Sequence, residues 1–412
     1  MSRPPVAASA PRLRVPLSLL YFSTLATLGL YAPYFPLWLD AHDFRGLSLG
    51  AIAALAPAAN LLGPPLAGAA ADRYGARGNL LGWGSLLAAL SMGGLCVAEA
   101  LGASQHFAVV FVLVLGFSAF RSPLILLADR ISLEYGGNYG QRRIFGSLGF
   151  LLTAAAFGHF CPPEWWRWLP ATMVFTLLAT RIASAFLPRQ GPVSLGSSRA
   201  RFAELLRQRR FVLFLGCSAL FGISHSSYDL CGSLWFRDLG ASRDMLGWLW
   251  ATGVLAEIVL FAKAAPYVSR FGGERLLVLS FALASLRWLV TALLPGPAYA
   301  FWVQPLHAAS FGLAWLGSLE FVQRWSAPHA LGSAQGLLMA SSAAGSACGM
   351  LMWGSLYAAH GGSGVFLAAA GISALAALFA YVFLYRYRRS GSADSAPSAA
   401  QPRRRAMRSL TL

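Results

Sequence analysis

The chain has 412 residues, of which 57% are hydrophobic and 11% are charged. Soluble domains usually have about a quarter charged residues, so this composition excludes a soluble globular protein. The formal net charge of +17 comes from arginines in short connectors and tails. That distribution is typical of membrane topology signals rather than of a nucleic-acid-binding surface.

Apolar runs of about 20 residues, the length that a helix needs to cross a hydrocarbon core of about 30 Å, follow one another along the chain. They predict twelve spans, near residues 16–38, 48–70, 79–99, 107–130, 142–161, 168–188, 210–236, 245–268, 276–296, 300–323, 332–357 and 364–385. The expected fold class is an all-α polytopic membrane protein, with twelve transmembrane helices in two pseudo-symmetric six-helix bundles.

The arginines between these spans predict the orientation of the chain. With the N-terminus inside, most connector arginines fall on the cytoplasmic side, and the four that fall outside are Arg45, Arg167, Arg237 and Arg243. Such an asymmetry places both termini in the cytoplasm and requires an even number of spans. The predicted location is the bacterial cytoplasmic (inner) membrane.

The longest connector lies between spans six and seven and divides the chain into two halves. The predicted organisation is a cytoplasmic N-terminal tail without a cleaved signal, an N-terminal bundle, a cytoplasmic linker, a C-terminal bundle and a disordered basic cytoplasmic tail. These segments cover residues 1–15, 16–188, 189–209, 210–386 and 387–412, respectively.

The loop after span two has the pattern GxxxDRxGxR, formed by Gly68, Asp72, Arg73, Gly75 and Arg77. Between the second and third of twelve spans, this pattern resembles the signature of the major facilitator superfamily. The resemblance implies the major facilitator fold and a cytoplasmic latch in which the acid and the arginines make charge-assisted contacts between helix ends. An ordinary charged turn is the alternative interpretation.

The second half repeats part of this pattern. Arg270, Phe271 and Gly272, after span eight, match residues 73–75 after span two, as expected of a duplicated six-helix unit. A GxxxG pattern formed by Gly345 and Gly349 in span eleven is interpreted as packing within the chain, and nothing in the sequence requires more than a monomer.

Two longer stretches carry a narrower resemblance. Residues 29–39 read GLYAPYFPLWL and residues 139–150 read YGQRRIFGSLGF. Together with fragments of spans seven to ten, they look like the phenylpropionate permease branch of the superfamily and, more distantly, lactose permease. The resemblance implies an inward proton symporter of a small organic solute.

Ionisable residues near the middle of the spans are candidates for function, because a charge at the bilayer centre costs at least about 2.5–3.5 kcal/mol. The candidates for proton coupling are Glu257, Asp229, His225, Arg287 and His307. His225 and Asp229 are four residues apart, so the carboxylate can hydrogen-bond the imidazole. A buried histidine that never titrates, and a static pair of Glu257 with Arg287 or a neighbouring lysine, remain open. Glu257 is the first choice for the proton carrier.

The resemblance to lactose permease assigns further roles. Arg143 matches its substrate-binding arginine, although an ordinary cytoplasmic arginine is the alternative, and His307 and Arg287 match its proton-coupling network. Two positions depart from that permease, since Leu126 and Ser310 stand where it has carboxylates. Sugar recognition by the same chemistry is therefore in doubt, and the proton must be carried by another group.

The candidate substrate-binding residues are Arg121, Arg143, Tyr31, Tyr34 and His307. Arginine binds carboxylates with two parallel hydrogen bonds, so the cationic first half favours an organic anion, and aromatic side chains provide an apolar slot. The nearest acid, Asp129, is expected to pair with Arg130 or with the loop. The predicted substrate is thus an aromatic or other organic acid.

Other functional classes are not supported by motifs. The sequence has no phosphate-binding GxxxxGK[ST], no HExxH, no GxSxG and no metal-spaced cluster, so neither an enzyme nor a metal site is expected. The predicted function is secondary active transport without a cofactor, driven by proton-motive force, with the solute, protons and the lipid bilayer as partners and no nucleic acid. An exporter of drugs or metabolites by proton antiport, and a symporter of a neutral sugar or nucleoside, are the alternatives.

Overall fold

The computed structural model describes residues 14–74, 77–134, 139–162, 164–187, 199–327 and 330–386. These residues form α-helices with short 3-10 and π-helical segments, and no strand occurs among them. The α-helices are α1 (Arg14–Ala41), α2 (Leu47–Tyr74), α3 (Arg77–Ala100), α4 (Phe107–Arg121), α5 (Leu124–Glu134), α6 (Tyr139–Phe160), α7 (Trp165–Ala185), α8 (Arg199–Arg207), α9 (Arg209–Asp238), α10 (Arg243–Lys263), α11 (Ala265–Phe271), α12 (Gly273–Ala292), α13 (Ala300–Val303), α14 (Leu313–Trp325) and α15 (Leu331–Phe379).

Ten stretches of the described residues are long and apolar enough to cross a membrane. The last of them, Leu331–Leu384, has 54 residues, and at 1.5 Å per residue it would extend about 80 Å as one straight helix. Gly361 interrupts it with φ 64° and ψ −172°, a conformation that only glycine adopts readily. The stretch therefore consists of two spans, which correspond to the predicted spans eleven and twelve.

Two spans are interrupted inside the membrane. Span four is divided into α4 and α5 at Ser122 and Pro123, because proline has no N–H to donate to the preceding turn. Span ten consists of α13, a π-helical segment (Ala308–Gly312) and α14, so no single helix in it is long enough to count as a span. With this interrupted span, the described residues contain the twelve crossings predicted from the sequence.

The chain forms two compact units. The first contains Met1–Leu195 and Ala241–Ala251, and the second contains Gly196–Gly240 and Thr252–Leu412. Within the second unit, a cluster of buried aromatic side chains joins α9, α12 and α14, with Phe214 stacked on Phe321 at 4.3 Å between ring centroids.

Glycines allow the closest helix contacts in both units. In the first unit, Gly149 of α6 lies against the backbone of Phe22 in α1, and Gly29 of α1 lies against Phe150 of α6. In the second unit, α9 and α15 meet in the same way, at glycines that include Gly222, Gly345 and Gly349. Spans one and five thus pack as spans seven and eleven do, and the interpretation of the GxxxG pattern as packing within the chain is confirmed.

We expect Gly149→Ala to lower the thermal stability of the detergent-purified protein by about 1–3 kcal/mol, because a Cβ at this position would overlap the carbonyl group of Phe22. Gly371→Ala is the matched control, since a Cβ at Gly371 meets no atom within 4 Å. The control should be neutral or slightly stabilising because alanine favours helix. Equal thermal midpoints for the two variants would contradict this packing.

Candidate functional site

A buried arginine is the centre of the polar cluster in the second unit. Arg287 of α12 is 1% exposed, and its guanidinium lies 3.0 Å from Nδ1 of His307 and donates to Oε1 of Gln304 at 3.2 Å. Gln304 in turn donates from Nε2 to the hydroxyl of Tyr228 at 2.6 Å. A cation this deeply buried requires several partners, and here its hydrogen-bond partners are neutral groups.

Aromatic rings surround the same guanidinium. Its carbon lies 4.6 Å from the ring centroid of Tyr228 and 4.4 Å from that of Trp288. The indole of Trp288 donates to Oγ of Ser224 at 2.9 Å, which fixes the orientation of that ring. Cation–π contacts are strongest where water is excluded, so the rings help to hold the charge in the second unit.

The contact with Arg287 determines which nitrogen of His307 carries the proton. A guanidinium can only donate, so Nδ1 of His307 accepts, and the neutral ring carries its hydrogen on Nε2. That nitrogen lies 3.5 Å from Oε2 of Glu257 in α10. A second proton cannot enter at Nδ1 while Arg287 remains bound, so the carboxylate of Glu257 is the acid at the other end of the series Arg287, His307 and Glu257.

His225 of α9 lies beside His307, with 5.5 Å between the ring centroids. Phe311 stacks on His307 at 5.2 Å, and Phe221 stacks on His225 at 5.1 Å. Nδ1 of His225 is buried without a hydrogen-bond partner, so the bond to Asp229 that the spacing of four residues allows is not formed at that nitrogen. Asp229 instead lies within Coulombic range of Arg287.

The backbone of span ten is irregular where it carries these groups. Pro305 precedes His307, and the π-helical segment begins at the next residue, Ala308. Such segments interrupt α-helices frequently at functional sites. Within it, Ser310 donates its hydroxyl to the carbonyl of Leu306 at 2.8 Å, so the residue that replaces the relative's carboxylate is engaged with the backbone.

In the first unit, Arg143 of α6 forms an ion pair with Asp129 of α5. Its Nη1 lies 2.9 Å from Oδ1 and 3.1 Å from Oδ2 of the carboxylate. Tyr21 and Tyr139 donate their hydroxyls to Oδ1 at 2.7 and 3.0 Å. The sequence predicted Arg130 or the loop as the partner of Asp129, and this prediction missed Arg143 because the two residues belong to different helices. Arg143 is therefore engaged by an acid of the chain itself.

We expect the pair to be energetically coupled. Arg143→Gln leaves the carboxylate without its cation, whereas the double variant with Asp129→Asn removes both charges. The side chains are 41% and 26% exposed, so solvent screening limits the expected coupling to about 1 kcal/mol. Thermal unfolding of both single variants and the double variant measures it, and strictly additive effects would contradict the coupling.

The other candidate cation of the first unit has no such partner. Arg121 is the last residue of α4, and its Nε is buried without a hydrogen bond. Its guanidinium carbon lies 5.9 Å from the ring centroid of Tyr31 and 5.6 Å from that of Phe117. Among the described residues, these ring contacts are its interactions, and no carboxylate neutralises it.

The aromatic candidates of α1 differ in their accessibility. Tyr31 is partly exposed and stacks on Phe35, with 4.7 Å between the ring centroids. Tyr34 is fully buried, and its hydroxyl donates to the carbonyl of Ala154 at 2.6 Å, which is a packing position between α1 and α6. Tyr31 and Arg121 are thus partly exposed, and they pack against the buried rings of Phe35 and Phe117.

The latch residues are described only in part. Gly68 lies in α2, and a Cβ there would be 3.3 Å from the guanidinium of Arg130, so glycine leaves room for that side chain. Arg73 is exposed near the end of α2, and Arg77 is buried at the start of α3. The side chain of Asp72 and the whole of Gly75 lie outside the described residues.

Sequence reasoning missed the neutral members of these clusters. Gln304 precedes His307 by three residues, and this helical spacing in an apolar span is a usable signal. No comparable signal joins Tyr21 to Asp129, which are 108 residues apart. Among the described residues, no group of three or more His, Cys, Asp or Glu side chains is placed to hold a metal ion.

Comparisons with known proteins agree with this architecture. A family model described as the MFS_1 like family matches residues 15–368. The chain is 26% identical over 318 residues to the probable 3-phenylpropionic acid transporter of Escherichia coli (strain K12). This alignment covers 74% of this chain and 81% of the relative. It is 31% identical over 319 residues to the maltose permease of Geobacillus stearothermophilus, in an alignment that covers 74% of this chain and 78% of that permease.

Among solved structures, the nucleoside transporter NupG superposes with a TM-score of 0.79 at 18% identity, covering 90% of this chain and 99% of NupG. An identity this low shows the fold alone. These comparisons confirm the predicted fold class and the family resemblance.

Proposed function

We propose that this chain, which belongs to the MFS_1-like family of major facilitator transporters, takes up an aromatic or other small organic acid together with a proton by alternating access. Its membership of this family makes it a multi-pass membrane permease and a secondary transporter of a small solute, not an enzyme. The proposal therefore concerns the substrate, the coupled ion and the direction.

The observation that carries the substrate assignment is the unpaired guanidinium of Arg121 over Tyr31 and Phe117. Arg143 is already neutralised by Asp129, so of the two candidate substrate-binding arginines Arg121 is the one that lacks an acid among the described residues. A carboxylate can accept two parallel hydrogen bonds from it, and an aromatic ring can lie against Tyr31. The name of the phenylpropionic acid relative supports the same chemistry.

The proton assignment rests on the series Arg287, His307 and Glu257. Arg287 keeps His307 neutral, and the imidazole directs its N–H towards the carboxylate of Glu257. The contact that supports Glu257 as the carrier is the 3.5 Å approach of His307 Nε2 to its carboxylate, because this contact favours the charged form of the acid. We assign the transported proton to Glu257 and a positioning role to His307.

The remaining parts of the proposal follow from topology. The basic connectors support insertion in the bacterial inner membrane with both termini in the cytoplasm. Transport needs no bound cofactor, because the proton-motive force provides the energy, and the chain acts as a monomer whose partners are the solute, protons and lipid. The loop from Gly68 to Arg77 acts as the conformational latch.

A neutral sugar or nucleoside is the second candidate substrate. The maltose permease relative and the fold shared with NupG favour it, and the Asp129, Tyr21 and Tyr139 group offers the acceptors and donors that hydroxyl groups require. Export of a drug or metabolite by proton antiport is the alternative in direction.

Counterflow in proteoliposomes distinguishes these substrates. We expect vesicles loaded with unlabelled 3-phenylpropanoate to take up the labelled compound faster than vesicles loaded with 3-phenylpropanamide, maltose or a nucleoside. Protein-free liposomes correct for passive permeation of the protonated acid. Counterflow of maltose or the nucleoside but not of the acid would overturn the substrate assignment.

A further inference from the structure

A polar pocket lies on the surface of the first unit, where the beginning of α3 meets the end of α7. It has a volume of about 240 Å³, and its lining includes Asn79, Gly82 and Trp83 of α3 and Arg181 and Ser184 of α7. Neither the organic-acid site nor the proton-coupling cluster includes any of these residues. The pocket is therefore a second candidate binding site.

The side chains give the pocket the character of an anion site. Among the described residues, the guanidinium of Arg181 has no hydrogen-bond or ion-pair partner, and it borders the pocket. Ser184 donates its hydroxyl to the carbonyl of Arg181 at 2.6 Å, so the guanidinium, the amide of Asn79 and the indole N–H of Trp83 are the side-chain donors that remain. The pocket also lies at the N-terminus of the 24-residue helix α3, whose dipole favours negative charge.

Glycine at position 82 keeps this pocket open. A Cβ there would lie 2.7 Å from Oγ of Ser184 and 3.4 Å from Cδ of Arg181. The side chain of Arg181 therefore passes directly over the backbone of α3. This close approach places the guanidinium in the groove between the two helices.

The depth and the surroundings of the pocket indicate a lipid. Asn79 and Trp83 lie within about 10 Å of the start of α3 at 1.5 Å per residue, which is the interfacial region where tryptophan is enriched. Trp83 is 59% exposed, and deeper exposed apolar residues continue from the pocket along both helices. They are Leu87 and Leu90 on α3 and Leu178 and Phe175 on α7.

We infer that this pocket binds the phosphate of an anionic phospholipid headgroup, with the acyl chains lying along the exposed apolar residues of α3 and α7. Basic pockets between transmembrane helices on the cytoplasmic side are suited to such headgroups. Inorganic phosphate offers the same anion, but it would leave the apolar surfaces beside the pocket without a specific partner. The inference is independent of the substrate and the coupled ion.

Native mass spectrometry of the full chain in a non-ionic detergent tests the inference. We expect phosphatidylglycerol to bind more tightly than phosphatidylcholine, and Arg181→Gln to weaken phosphatidylglycerol binding about tenfold. Arg207→Gln is the matched control, because Arg207 is an exposed arginine of α8 outside the pocket, and it should retain wild-type affinity. Asn79→Ala should show a smaller loss, and it serves as the test if Arg181→Gln does not fold.

Two results would overturn the inference. Equal losses in the pocket variants and in Arg207→Gln would mean that the lipid responds to net charge alone. Displacement of phosphatidylglycerol by an equal concentration of inorganic phosphate would mean that the pocket binds a free anion. Retention of the lipid at that phosphate concentration, with a loss confined to the pocket variants, supports the headgroup site.

Discussion

Glu257→Gln is expected to abolish accumulation of the substrate against a gradient while preserving counterflow. A glutamine has the shape of a protonated glutamate but cannot release a proton, so the variant can exchange substrate without moving protons. Symport of one proton with a monovalent anion is electroneutral. A lumen that is one pH unit more alkaline than the outside can therefore sustain about tenfold accumulation of the anion. The variant should lose the protein-dependent part of this accumulation, measured as the initial rate of labelled 3-phenylpropanoate uptake above that of protein-free liposomes, because the protonated acid also crosses lipid unaided.

Two further variants sharpen this result. Glu204→Gln changes an exposed acid of α8 and should accumulate the substrate as the wild type does. Asp229→Asn tests the other acid near Arg287. Full accumulation by Glu257→Gln, together with a loss in Asp229→Asn, would assign the transported proton to Asp229 of α9. It would also contradict the proposed role of the contact between His307 and Glu257.

Arg121→Gln is expected to weaken binding of the aromatic acid about 10-fold to 100-fold, because a hydrogen bond to a charged group contributes about 1.5–3 kcal/mol. Arg121→Lys should also bind more weakly than the wild type, since lysine keeps the charge but lacks the planar fork. The measurement is the concentration of 3-phenylpropanoate that gives half-maximal counterflow, compared with that of 3-phenylpropanamide.

The comparison of 3-phenylpropanoate with 3-phenylpropanamide separates a loss of carboxylate recognition from a general loss of transport activity. If Arg121 binds the carboxylate, Arg121→Gln loses the preference for the acid, whereas Arg209→Lys, a change at an exposed arginine of α9, keeps it. An unchanged ratio of acid to amide in Arg121→Gln would show that Arg121 does not recognise the carboxylate. A loss confined to Arg143→Gln would assign that role to the pair with Asp129.

The sequence predicted the fold well because the bilayer constrains each span separately. Runs of about 20 apolar residues are sufficient to locate a span, and this local rule also divides the long apolar stretch that begins at Leu331. The helix break at Pro123 can also be predicted from the sequence, because it follows from a single residue type. The π-helical segment after His307 cannot be predicted in this way, since its register depends on packing against α12 and α10.

The site was predictable by residue type but not by pairing. The cost of a buried charge identifies Arg287, His307 and Glu257 as unusual, and the structure brings these three together. Their order in the series depends on rotamers, which the sequence does not specify. In the structure, Asp129 pairs with Arg143 of the neighbouring helix. Arg121 is therefore the candidate substrate-binding arginine that has no acid among the described residues.

Direct detection of proton movement tests proton-coupled uptake of an aromatic acid most directly. A pH-sensitive dye is trapped in proteoliposomes with equal pH on both sides, 3-phenylpropanoate is added outside, and the signal of protein-free liposomes is subtracted. Acidification of the lumen by one proton per anion, lost in Glu257→Gln, is the predicted result. Protein-dependent uptake without a pH change, or with alkalinisation of the lumen, would contradict proton symport.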